Sequence, residues 1–436
     1  MNNKKRILFA SLLAFATVLS AKELLFSTAY NLAVQNSNQL QSAKYMYLSD
    51  KEDIKQEQAA LYPQLDLSAY YKKSKYVANP NQDVTRQGLL NYTLSLKQSI
   101  YNADALARID MQKLRSKYSS TKVKYQEQQL AQDVFKAYLN ILRTTNKIAA
   151  LQSYLTYQHS KLEALQKKYD MKLANKMDLL QIKVDYESSK IDLNKEKRLL
   201  NVYKMQLEHF IGKTDYTIPL ISIRNNISPA LAQMRDTIHE TMNSLEIQQS
   251  KIQLELANKA IKNAFAGHLP NVSLSASYAR YSTDTPTIDS PFNSVANVMM
   301  NINIPLYKGG YTASKVESAK LRYQAAVEDM LATKKKVTVN YKEDLANFNA
   351  ALNSVYMYKE AYTSAELFVE AIHEGYKKGL KSIIDLNDAE AKMYNIKYKY
   401  IDNLYTMVNA YVGLLVDTNS FNNLRFLDQL LMESRE

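Results

Sequence analysis

The chain has 436 residues and no cysteine, so it has no disulfide framework, no thiolate metal site and no cysteine to take a lipid at a leader cleavage point. Its 8 glycines and 8 prolines are few for this length and they cluster, which excludes a string of loop-rich domains and favours long uninterrupted helices. The formal charge is +13, falling by three to +10 when Lys4, Lys5 and Arg6 leave with a leader; the lysines have acidic neighbours and the longest basic run is Lys334 to Lys336, which favours a solvated or membrane-proximal surface over nucleic-acid binding.

Residues 1–21 read as a secretory signal. Lys4, Lys5 and Arg6 precede an apolar run from Ile7 to Val18, and small residues suit cleavage after Ser20 or Ala21. The run is short for a transmembrane helix, and no later stretch approaches the ~20 apolar residues that one needs. A helical pattern follows from Lys22 to Leu61, with Leu32, Val34, Leu40 and Tyr47 on a polar background. Pro63 to Tyr101 then changes period. Leu65, Leu67, Ala69 and Tyr71 share one face of a strand, and Leu90, Tyr92, Leu94 and Leu96 one face of its partner, opposite Asn91, Thr93, Ser95 and Lys97. The polar loop 79–87 joins them as an exposed tip.

From Ala103 to about Tyr169 no breaker occurs, and Val134, Ile141, Ile148, Leu155, Leu162 and Tyr169 recur every seven residues. At ~1.5 Å per residue this predicts a helix, or two stacked helices, about 100 Å long. After a break at Leu173 to Lys176 a returning helix is expected over Asp178 to Phe210. Residues 213–229 form an irregular linker, and the plan restarts with a helix over Ala230 to Phe265 and a second hairpin over Pro270 to Tyr307. In that hairpin Val272, Leu274, Ala276 and Tyr278 alternate with serines, and a polar tip spans 284–293. In the following run Tyr341, Phe348, Val355, Tyr362, Val369 and Tyr376 again recur every seven residues.

Pro63 and Pro270, Ile141 and Phe348, Tyr169 and Tyr376, and Asp178 and Asp385 are each 207 residues apart, so the chain is an internal duplication. The expected organisation is signal 1–21, first repeat 22–212 with hairpin 64–101, linker 213–229, second repeat 230–418 with hairpin 271–307, and tail 419–436. The fold class is mainly α, with long coiled-coil helices and four membrane-length strands. Heptads alone would fit a rod, but a rod gives no reason for two such hairpins at equivalent points. Four strands cannot close a barrel, since the smallest have about eight and an open edge is not tolerated in lipid. A membrane reading therefore needs several chains to pool their strands, and the sequence does not choose between two and three.

Catalytic patterns fail. Gly212-Lys213-Thr214 resembles the end of a phosphate loop, but Leu207 stands where its first glycine belongs. His159, His209, His239, His268 and His373 are dispersed, and Lys377 occupies the position of a second zinc-binding histidine after His373-Glu374. The expectation is a non-enzyme with no catalytic, cofactor or metal residues.

With its duplicated plan, the strand end IPLYKGGY at Ile304 to Tyr311 and the turn GYKKGLKSIIDLNDAEAKMY at Gly375 to Tyr394, the chain resembles the TolC-like outer membrane efflux proteins over about residues 24–418. The first half departs from the pattern with QSIYNAD, and with Lys172 and Asn175 where Gly379 and Ser382 stand. The resemblance implies a homotrimer whose twelve strands form a barrel in outer membrane lipid and whose helices form a periplasmic tunnel. It further implies a passive exit duct working with a periplasmic adaptor and an inner-membrane transporter, for small molecules or ions, or alternatively for type I protein secretion. It places Asp385 and Asp388 at the aspartates lining the closed tip, and Tyr376, Lys381 and Asp178 at the links holding the bent helix pair shut. A surface-anchored trimeric stalk or adhesin is the alternative of another class. Its strands would be C-terminal, however, whereas both hairpins here are internal.

Overall fold

The computed structural model describes residues 23–76, 85–218, 243–283 and 294–420. The leader, most of both hairpin tips, the greater part of the linker with the start of the helix expected from Ala230, and residues 421–436 of the tail lie outside the described residues. The first repeat comprises α1 (Phe26–Asn36), α2 (Asn38–Ala59), β1 (Gln64–Tyr76), β2 (Thr85–Asn102), α3 (Ala103–Asp170) and α4 (Lys176–Ile211). The second comprises α5 (Leu245–Phe265), β3 (Asn271–Thr283), β4 (Ser294–Asn303), α6 (Tyr311–Lys377) and α7 (Ile383–Asp417). At 68 and 67 residues, α3 and α6 are single helices rather than stacked pairs. Among the described residues no helix is long and apolar enough to cross a membrane.

Local chemistry sets the boundaries. Side-chain oxygens of Ser37, Asn102, Asn175 and Ser244 accept backbone N–H groups at the starts of α2, α3, α4 and α5, satisfying donors that a helix start leaves free. Gly212 ends α4 at φ +66, and the Asn36 amide lies where its Cβ would be, so a side chain is excluded both by conformation and by space. Two expectations are corrected. The helix over 22–61 is divided at Ser37, whose extended backbone restarts it as α2. The fourth strand stops at Asn303 rather than Tyr307, because Pro305 has no N–H to continue a ladder.

The two hairpins form one antiparallel sheet of order β1-β2-β3-β4, joined across the duplication by β2 and β3. Its register lines up like with like. Leu65, Leu96, Ala276 and Val298 form one cross-strand row, and Leu67, Leu94 and Tyr278 belong to the next on that face. Asp66, Ser95, Ser277 and Asn297 form a row on the opposite face. The apolar rows are uncovered, with Leu67 and Val298 about three-quarters exposed, and β1 and β4 are unpaired edges.

The main core lies where α1, α3, α6 and α7 meet. Phe26 packs edge-on against Phe135 at 5.1 Å, and Val134, Phe135, Tyr138, Ile141, Phe348, Val355, Met407, Tyr411 and Val412 are buried around it. Burial along the heptads is graded in both repeats. Val134, Ile141 and Ile148 are buried while Leu155, Leu162 and Tyr169 are only partly so; Tyr341, Phe348 and Val355 are buried while Tyr362, Val369 and Tyr376 are partly so. Along this heptad line each long helix is therefore tightly packed near its middle and looser toward its turn.

Beside this core a cavity of about 390 Å³ is lined by Glu246, Glu343, Asp344 and Asp417, with Lys336 and Tyr125 facing them. The Asp344 carboxylate occupies the space that a Cβ on Gly413 would need. Burial, followed by the charges of Asp344 and Glu246, pushes the Asp417 carboxyl up to about 7. The native state thus keeps a proton that the unfolded chain loses near its ordinary value of 3.8, and stability falls as pH rises from about 4 through 7. Asp417→Asn is expected to raise the thermal midpoint at pH 8, change it little at pH 4 and flatten the decline between. Parallel melting profiles for variant and parent would contradict this.

Candidate functional site

The two helix turns farthest from the sheet are built alike despite their different sequences. Leu173 N–H donates to Lys168 O at 2.7 Å, and 207 residues on Leu380 N–H donates to Gly375 O at 2.8 Å. Lys172 adopts φ +61 where Gly379 adopts φ +74, so the lysine accepts a left-handed backbone that favours glycine. Asn175 caps α4 as Ser382 caps α7. The departures noted in the first half therefore leave the turn in place.

In the second turn Asp385 closes a capping box. Ser382 N–H and Oγ donate to Asp385 Oδ2 at 2.8 and 2.9 Å, and Asp385 N–H donates back to Ser382 Oγ at 3.0 Å. The Ser382 donors, assisted by the Lys381 charge, hold the Asp385 carboxyl below the usual carboxylate range. Asp388, one turn on, is exposed beside it. The Tyr376 hydroxyl accepts from Lys168 Nζ at 3.0 Å. Asp178 lies in the first turn of α4, where a carboxylate suits the helix dipole. Lys381 is exposed, with its stem against Gly375. Among the described residues neither Asp178 nor Lys381 forms an ion pair within the chain.

Sequence reasoning missed the seam between α3 and α7. Lys161 Nζ contacts Glu390 Oε2 at 2.7 Å, with both side chains about nineteen-twentieths buried. Asn387 reaches Lys161 with its Oδ1 at 3.5 Å and donates from Nδ2 to Asp185 Oδ2 of α4 at 2.7 Å. Further along, Lys147 pairs with Asp402 at 2.7 Å, and Tyr154 stacks on Tyr394 with centroids 4.7 Å apart. A signal was available: Lys147, Tyr154, Lys161 and Lys168 recur every seven residues, each immediately before an apolar heptad position.

An apolar-faced sheet at one end of two long coiled-coil pairs, with two like-built helix turns at the other, defines a duct-type membrane protein. Residues 29–213 and 240–416 match the family described as outer membrane efflux protein, and the chain belongs to that family. It is 24% identical to the outer membrane protein TolC of Vibrio cholerae over 386 residues, covering 85% of this chain and 87% of the relative. It is 20% identical to the proteases secretion protein PrtF of Dickeya chrysanthemi over 419 residues, covering 92% of this chain and 90% of that one. Its fold matches the Campylobacter jejuni CmeC outer membrane channel with a TM-score of 0.78 at 17% identity, covering 94% of this chain and 89% of that one. The protein is an outer membrane efflux duct, and family members are channels rather than enzymes.

Proposed function

We propose that three copies assemble into one tube, with twelve strands closing a barrel in outer membrane lipid and the helices forming a periplasmic passage that narrows at the helix turns. The observation that carries this reading is the sheet itself: one apolar uncovered face and two free edges, which lipid does not tolerate unless β4 of one copy meets β1 of the next. A second support is the exposed stripe Leu180, Val184, Ile191 and Met205 on α4, which a neighbouring copy would cover. On this reading Asp385 and Asp388 line the constriction. A Lys381–Asp178 link then belongs to the contact between copies and is weak, because Lys381 is exposed and Asp178 only half-buried. A periplasmic adaptor and an inner-membrane transporter complete the path. Small molecules or ions are the favoured cargo. The likeness to a protease secretion protein supports type I protein export as a second reading, and the transporter that co-purifies decides between them.

The mature protein is expected to extract from the outer membrane with detergent at three times its monomer mass. A monomer in the soluble periplasm would overturn both barrel and duct.

A further inference from the structure

The four residues Lys147, Tyr154, Lys161 and Lys168 all engage the second repeat, through Asp402, Tyr394, Glu390 and Tyr376. Their equivalents 207 residues on are Ser354, Ala361, Phe368 and Gly375, so the charged line exists on one repeat only. Within it Lys161 and Glu390 are a pair with both side chains buried, and neighbouring groups add contacts to it. Asn387 bridges the pair to Asp185 of α4, and the Tyr157 ring lies 5.2 Å from Lys161 Nζ. The cluster therefore ties the returning helix α7 to both α3 and α4.

We infer that the buried Lys161–Glu390 pair, completed by Asn387 and Asp185, is the latch that holds α7 against α3 in the closed duct, and that its separation permits widening at the turns. This rests on the reading that the returning helices close the passage. The physical argument is an asymmetry of buried ion pairs. Separated into water, both ions recover their hydration, so the intact latch opens at modest cost. With one partner deleted, the other charge is stranded in the closed state but still hydrated in the open one, and closure becomes unfavourable. Lys161 and Glu390 are thus positioning residues for the gate. The exposed Lys381 has no such leverage, because its charge stays hydrated in either state.

The test uses the purified full-length protein in planar bilayers, with amide hydrogen exchange over residues 387–402 measured on the same samples. Lys161→Met and Glu390→Gln are each expected to shift the closed–open balance toward open by on the order of 100-fold, seen as persistent high conductance and faster exchange in α7. The double variant Lys161→Met with Glu390→Met leaves no stranded charge and restores parental conductance and exchange, which a general packing defect would not do. Single variants that conduct and exchange like the parent would overturn the latch, as would a double variant as open as the singles. A parent without channel activity whose variants still follow this exchange pattern would refute the duct reading while leaving the pair as the tie between helices.

Discussion

The parent duct is expected to be blocked by divalent and trivalent cations applied from the periplasmic side, and Asp385→Ala together with Asp388→Ala is expected to abolish that block. Three copies would bring six carboxylates around one axis, and a ring of like charges attracts cations and resists anions. Multivalent ions gain most, because several carboxylates replace part of their water together. Block should weaken as salt screens the entrance.

The two aspartates are not equivalent, however. Asp385 is bound into the capping box with Ser382, so its removal costs α7 part of its start, whereas Asp388 has no such duty. Asp385→Asn with Asp388→Asn separates these effects, since an asparagine still offers an oxygen to the Ser382 N–H while removing the charge. If the Asn pair abolishes block as fully as the Ala pair, charge is the cause. A double variant blocked as tightly as the parent would leave both residues as ordinary members of a helix start.

The turn that carries Asp385 and Asp388 was legible because the 207-residue repeat located it and acidic residues three apart mark one helix face; a place for them at a constriction came from the family resemblance alone. The sheet was legible by face but not by neighbour. Alternation assigns Leu94 and Tyr278 to similar sides of their strands, yet nothing in a period of two says that β2 pairs with β3. Lys161 was hidden for a different reason. A lysine beside a heptad position is usually solvated, and only the approach of Glu390, 229 residues away, makes it a buried charge. The Lys168 contact of Tyr376 was hidden for the same reason, since Lys168 belongs to the charged line on the other repeat.

The α3–α7 seam has two chemically distinct parts, and this yields the second large effect. From Val134 to Leu142, α3 meets Leu404 to Leu415 of α7 almost wholly through apolar side chains; from Lys147 to Lys161 it meets Asp402 back to Asn387 through ions, amides and stacked tyrosines. Groups of the second kind regain water when parted, and those of the first do not. Opening should therefore begin at the turns and stop near Tyr405, whose hydroxyl accepts from Asn146 at 2.8 Å at the boundary. Phe348 is fully buried on the apolar side, with its ring 5.9 Å from that of Tyr411. Phe348→Ala is expected to cost about 3–5 kcal/mol per chain, the range for a buried aromatic replaced by a cavity. It should lower the thermal midpoint of the assembled protein while leaving conductance at the parental level. Lys161→Met should do the reverse, raising conductance with a smaller loss of thermal stability. If Phe348→Ala opened the duct as readily as Lys161→Met, the seam would be one continuous hinge, and the boundary at Tyr405 would have no mechanical meaning.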